Sequence, residues 1–430
     1  YADLNGTKVH NLKLNQRLVA KLLTQSYRED TPGAGFGNDV VQANPRALTV
    51  DPEFLELNPE FADFTRVAPQ GLLVPFGNSD VNKHVWEWVR SNPEAKAFLE
   101  GSADPWGMKV NPSYQALGLT EGEAPVSFPK ADLHTYTAVD SVPAYGTLEM
   151  RPYYNSLDET GMRALRADGN VKTAWDPFKL PAGQYVALAP QPVGQRFMLA
   201  ITDLATAYRY GLDVAQLQGS VSGNYVSPTA QTLATAVENR KTTTVVGITV
   251  PDWTASVPDA YPLTEVSYAA VSICTATAAE TAAYTQLIDW ATSSTGGQIP
   301  GDEVGQLPRG YFPLTSAQRE VALAAIQDIT TPENKTARCT IKKKSTSKPM
   351  AFPKTTTTKT TGPAAATDAS QTPTPVELFI RQPYYGEGPT EDSSPQLSKI
   401  LMAGGYIAGI PMLITGFLMQ RKYGNKISKL

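Results

Sequence analysis

Residues 400–419, ILMAGGYIAGIPMLITGFLM, run for 20 residues without a charged side chain, and no other feature limits the architecture of the chain so strongly. A lone segment inside a bilayer must satisfy its own backbone hydrogen bonds, which leaves the helix as its form. About 20 apolar residues is the length that crosses a hydrocarbon core. A buried core helix would need a packing partner, but a low-complexity tract precedes the run and only a short basic tail follows it. One transmembrane helix over 396–420 is therefore expected. Arg421, Lys422, Lys426 and Lys429 follow it, and Glu387, Glu391 and Asp392 precede it. The positive-inside rule then places the tail, 421–430, in the cytoplasm and everything before 395 outside the cell membrane. Ala403, Gly404, Gly405, Ala408 and Gly409 form a small-residue face, with Gly405 and Gly409 at GxxxG spacing. Such a face suits a membrane-protein partner within the lipid.

Ahead of the span, 332–395 changes composition to Thr, Ser, Pro, Lys and Ala, as in TIKKKSTSKPMAFPKTTTTKTTGPAAATDASQTPTP. Too little apolar area is present to fold, so a disordered stalk is expected, with hydroxyls open to O-linked sugar. Lys342, Lys343, Lys344, Lys348, Lys354 and Lys359 give its first half a basic character that could meet anionic wall polymer or lipid headgroups, or simply be solvated. The apolar and aromatic stretch 376–388, VELFIRQPYYGEG, interrupts the tract and could dock onto a partner or back onto the globular part.

Residues 1–331 look like a folded domain. The whole chain, at 41% hydrophobic and 18% charged, has an ordinary globular composition. A net charge of −4, with no basic stripe interleaved with aromatics, argues against nucleic acid as a partner. Helical and strand patterns alternate, which predicts an α/β fold. Helices are expected over 12–23, 229–239 (capped by Thr229) and 315–329 (capped by Thr315 or Ser316), and over the Ala-rich stretch before Gly296–Gly297. A strand entering a helix is expected over 196–211, and strands over 244–250 and 263–273. Cys274 and Cys339 are too far apart for a CxxC motif but could pair once outside the cell.

Site chemistry is sparse. His10, His84 and His134 are scattered with no zinc-binding spacing, so no metal is expected. GAGFG (33–37) lacks the Lys-Ser/Thr of a P-loop, and GSVSG (219–223) puts Val221 where a nucleophile elbow needs Ser. Asp51 with Glu53, and Glu121 with Glu123, read as loop and cap residues. No catalytic acid/base pair and no cofactor are predicted, and the chain reads as a non-enzyme. One stretch asks for more, VPFGNSDVNKHVWEWV at 74–89. The apolar strand Leu72 to Phe76 runs into a turn, and Ser79 or Asp80 caps a helix carrying Val81, Val85, Trp86 and Val89. A strand that turns into a helix presents free N–H groups and a positive dipole end, which favour an anion. Asn78, Ser79, Asp80, Asn82 and Lys83 are thus the candidate ligand-binding residues. The alternative is a plain cap with Lys83 and His84 in solvent.

The order of segments resembles a PstS-type phosphate-binding protein of the type 2 periplasmic-binding-protein fold, in the membrane-anchored form of actinobacteria. The pieces, in order, are YADLNGTKVHNLKLNQRLVAKLL, NPRALTVDPEFLELNPEF, GNYVSPTAQTLATAVEN, YPLTEVSYAAVSI and RGYFPLTSAQREVALAAIQDI. The resemblance implies two α/β lobes over 1–331, with the N-terminal part of lobe one upstream of Tyr1. It also implies that Cys274 lies in a returning strand and Cys339 just past the terminal helix. In the family, the loop after the strand matching Leu72 to Phe76 is Arg-Ser-Asp-Gly-Ser-Gly-Thr, and it grips phosphate. Here Ser79 and Asp80 stay, Asn78 replaces the Arg, and Val81 to His84 replace the Gly-Ser-Gly-Thr run. The planar bidentate donor and the close backbone approach are lost. The expectation is a tethered cell-surface module with a degenerate phosphate site. A solute-binding protein delivering phosphate or another small anion to an ABC transporter is the alternative. Residues 134–169 have no counterpart in the simple binding proteins and read as an insertion forming a contact surface.

Overall fold

Leu72, Leu73 and Val74 are consecutive apolar residues and all are buried, as a parallel strand covered on both faces requires. The computed structural model describes residues 1–31, 38–66, 71–131, 148–167, 171–245 and 247–339, which lie within one compact unit, Tyr1–Thr346. In it the strand Leu72–Pro75 is the middle of a three-stranded parallel sheet, flanked by Leu199–Ala200 and Tyr153–Tyr154. Side chains alternate across it. Leu72 and Val74 join the large core, which also holds Leu18, Phe54, Phe61, Trp86 and Phe197, while Leu73 joins a smaller cluster with Met150, Ala164, Val171 and Met198.

Short sheets surround this centre. Ala2–Leu4 lies between Thr7–Lys8 and Gln195–Phe197, antiparallel to both. Asn5 and Gly6 make the connecting turn at φ 52° and 81°, the left-handed pair that a two-residue hairpin needs. Lys13–Leu14 runs parallel to Gln216–Gln218, which also pairs with Tyr225–Val226. Leu148–Met150, Lys172–Asp176 and Gln184–Ala187 form an antiparallel meander. The molecule is therefore a mixed α/β structure with small sheets.

Helix starts follow local chemistry. Asn15 caps Gln16–Leu23, while Asp51 and Asn92 cap Pro52–Leu57 and Pro93–Leu99, each with Pro in the first turn. Thr229, Thr277 and Thr315 form capping boxes for Ala230–Glu238, Ala278–Thr292 and Ser316–Thr330. Burial is uneven along the chain. Gln16–Leu23 is wholly buried, whereas Ala278–Thr292 buries no residue and Ser316–Thr330 only Ile329. Leu287, Trp290, Val321 and Leu323 are exposed.

Several expectations are corrected. Residues 263–273 form no strand. Their alternating pattern meets no strand edge, and the Tyr268 hydroxyl instead hydrogen-bonds with the backbone N–H and C=O of Thr249. Within 244–250 only Thr249–Val250 pairs, with Lys241–Thr242. In the described part of 134–169, Tyr153–Tyr154 pairs into the parallel sheet and Leu157–Arg166 buries Thr160, Gly161 and Ala164, so the segment is built into the fold. The first eight residues assigned to the stalk form the helix Pro332–Cys339, whose last residue is disulfide-bonded to Cys274 with Cα atoms 5.5 Å apart. No helix among the described residues is long and apolar enough to cross a membrane. The expected span, the stalk beyond 339, residues 33–37 and His134 lie outside the described residues.

Candidate functional site

The chain leaves the buried strand at Pro75, exposes Phe76, and turns at Gly77 with φ 95°, a conformation that L side chains rarely adopt. Asn78, Ser79 and Asp80 follow on the surface. Ser79 is extended, and its Oγ accepts a hydrogen bond from the N–H of Asn82 at 3.2 Å, so it is the N-cap of helix Asp80–Ser91. Its own N–H donates to the Val126 carbonyl at 2.8 Å. Val85, Trp86, Trp88 and Val89 turn inward from this helix, the 3.6-residue stripe that fixes it to the core.

The five candidate residues are adjacent, and the Ser79 hydroxyl, the Asn82 side-chain N–H and the Lys83 ammonium each have a partner within the fold. Asn82 is buried and donates from Nδ2 to the Gly77 carbonyl at 3.0 Å, closing the turn. Asp80 puts a negative charge in the first turn, where it already complements the helix dipole. Lys83 faces along the helix to Glu87, 3.8 Å away. His84 is not a free surface group, since its Nδ1 meets Glu265 and its Nε2 lies 3.9 Å from Glu87. An incoming anion would meet the resident Asp80 carboxylate in the first turn and a lysine that already faces Glu87 one turn further on. Replacing Ser79 by Ala is expected to lower stability by about 1 kcal/mol, the ordinary worth of such a cap. Urea unfolding monitored by tryptophan fluorescence checks it.

A second polar cluster lies in the interior. Lys21, fully buried, places Nζ 2.8 Å from Asp51 Oδ2, 2.8 Å from Glu53 Oε2 and 2.7 Å from Asp104 Oδ2. Arg17 pairs with Glu53 at 2.9 Å, and the Tyr27 hydroxyl donates to Asp51 at 2.7 Å. Asp51 is the N-cap of Pro52–Leu57 and Glu53 lies in its first turn, in keeping with their reading as loop and cap residues. Arg17, Lys21 and Asp104 were not foreseen. The only sequence signal was an i, i+4 pair of basic residues on a helix. Burial opposes charge on Glu53, but the Arg17 hydrogen bond and the nearby Lys21 outweigh it and hold the carboxyl below its ordinary range. Burial likewise opposes charge on Lys21, and the Asp51 and Glu53 charges overcome it and raise its pKa. The three carboxylates offer oxygens within 4.8 Å of one another, a spacing that suits a cation. The Lys21 ammonium is that cation, and the cluster is a buried ion network within the fold.

His10 is exposed and lies 2.8 Å from Asp213. Glu121 is a turn residue whose N–H donates to the Gly118 carbonyl. No family model, curated protein or solved structure matches the chain.

Proposed function

We propose that the protein is a membrane-tethered, cell-surface module of PstS-like descent that acts through binding or scaffolding and not through catalysis. The observation that carries this reading is the use of Ser79, Asn82 and Lys83 as cap, turn lock and intrahelical ion pair in the loop where the resembled family grips phosphate. Ala2–Leu4 and Lys13–Leu14 both pair with strands about two hundred residues later, so the chain leaves and re-enters alongside itself. The tether rests on the apolar run 400–419 and its charged flanks. Protease added to intact cells is expected to release a soluble body and leave a small membrane-held remnant. A body protected until lysis would contradict the orientation.

The second reading, capture of a small anion for a transporter, draws on the exposed Asn78 and the N-terminus of helix Asp80–Ser91. It requires affinity without a bidentate guanidinium, since no arginine stands in the loop.

A further inference from the structure

Residues 264–272, TEVSYAAVS, run without a turn or a bend, yet over 265–271 no backbone N–H or C=O hydrogen-bonds with a described residue. Ser267, Tyr268, Ala269 and Ala270 are exposed in succession. Proteins blunt a strand edge that stays free with charge, proline or a bulge. Residues 266–272 carry no charged side chain, no Pro and no Gly. Glu265 is the one charge of the stretch, and His84 holds it. Apolar side chains are exposed around this bare edge. The Tyr268 hydroxyl meets Thr249, and the neighbouring Gly247 lies against Val321, where an added Cβ would stand 3.4 Å from Cγ1. Helix Ser316–Thr330 exposes Ala317, Val321 and Ala324 along one face, and Ala278–Thr292, packed beside it, exposes Ala283, Leu287 and Trp290 along another.

We propose that this surface is the seat of a symmetric dimer, in which residues 264–272 of two copies pair antiparallel about Tyr268. Antiparallel pairing of identical strands gives each the other's free N–H and C=O groups, as a two-fold interface requires. Centred on Tyr268, it sets Glu265 opposite Val271, Val266 opposite Ala270 and Ser267 opposite Ala269, so no like charges face each other. An unrelated partner would need an equally bare edge, whereas a second copy brings one. The area fits. Val245, Tyr268, Leu287, Trp290 and Val321 are each about half exposed and together offer on the order of 500 Å² of apolar surface, at roughly 100 Å² apiece. One side of a stable interface takes about 800 Å², and the strand edge over 265–271, about 23 Å long, supplies much of the remainder. This dimer goes beyond the scaffolding reading and does not depend on the tether.

Sedimentation equilibrium of the full chain in detergent tests it. At about 10 µM the parent should sediment as two chains, and Ser267→Lys/Ala269→Lys, which sets lysines of the two copies face to face, should weaken the dimer about tenfold or more. Both side chains are exposed and neither hydrogen-bonds among the described residues, so the variant keeps its fold. Amide exchange across 265–271 in the parent should slow as concentration rises, a readout that needs no variant. Three results would overturn the proposal. One is a monomer up to about 100 µM. Another is a dimer of unchanged affinity in the folded lysine variant, and its loss in Gly405→Leu/Gly409→Leu would then place the contact in the apolar run 400–419. The third is exchange across 265–271 that stays fast at every concentration while the chain dimerises.

Discussion

Replacing Lys21 by Met is expected to cost about 3–5 kcal/mol of stability at neutral pH, because it leaves the buried Asp51 and Asp104 carboxylates without their cation and Glu53 with Arg17 alone. Lys21 is the shared partner of Asp51, Glu53 and Asp104, and all four side chains are almost fully buried. Methionine matches the stem in volume, so packing changes little and the loss is electrostatic. The sign of the pH dependence follows. In the parent, the lowered Glu53 pKa contributes stability that is present above the ordinary value of 4.5 and is lost as pH falls through the folded value. The raised Lys21 pKa contributes stability that is present below 10.5 and is lost as pH rises through the folded value. Without Lys21 the orphaned carboxylates gain by protonation, so the deficit of the variant should shrink as pH falls below about 5. Urea unfolding of parent and variant at neutral and acidic pH measures both. A neutral-pH loss under about 1 kcal/mol would mean that the carboxylates find water or other partners at little cost.

Removing the disulfide should have an effect of similar size, confined to the other end of the fold. Cys274 and Cys339 are 65 residues apart, and closing a loop of that length is worth about 4 kcal/mol on the chain-entropy account. The enclosed helices have little else to hold them. Ala278–Thr292 buries no side chain, Ser316–Thr330 buries only Ile329, and Leu287, Trp290, Val321 and Leu323 face outward. In a Cys274→Ser/Cys339→Ser variant, amide protection should fall across Ala278–Thr292, Ser316–Thr330 and Pro332–Cys339 while Gln16–Leu23 and Asp80–Ser91 keep theirs. Hydrogen exchange read by mass spectrometry resolves the two regions. Unchanged protection in the three C-terminal helices would show that they hold together without the bond.

What could be read from the sequence was what local chemistry decides. Ser79, Thr229 and Thr315 were identifiable as caps because a hydroxyl before a helical stripe serves its own backbone. The buried strand Leu72–Pro75 was visible as an apolar run. Tertiary partners were not visible. LTEVSYAAVSI has the pattern of a strand, but a strand needs an edge to pair with, and pattern alone does not supply one. Lys21 looks like a surface lysine until Asp51, Glu53 and Asp104 arrive from other parts of the chain. Residues 134–169 seemed extra because nothing local says that Tyr153–Tyr154 will pair beside Val74 and Pro75. At the candidate site the Ser79 cap was legible, but the partners of Lys83 and His84 were not. Lys83 and Glu87 stand at i, i+4, yet His84 meets Glu265 from a loop that the sequence assigned to a strand.

The central claim is that the loop after Phe76 is a helix cap and not a phosphate-binding loop. Titration calorimetry of the full chain with inorganic phosphate tests it most directly, run at low and at physiological salt. The cap reading predicts a dissociation constant no tighter than about 1 mM, weakening further with salt as the dipole is screened. Micromolar binding that disappears in Ser79→Ala would contradict it and make the protein an anion receptor.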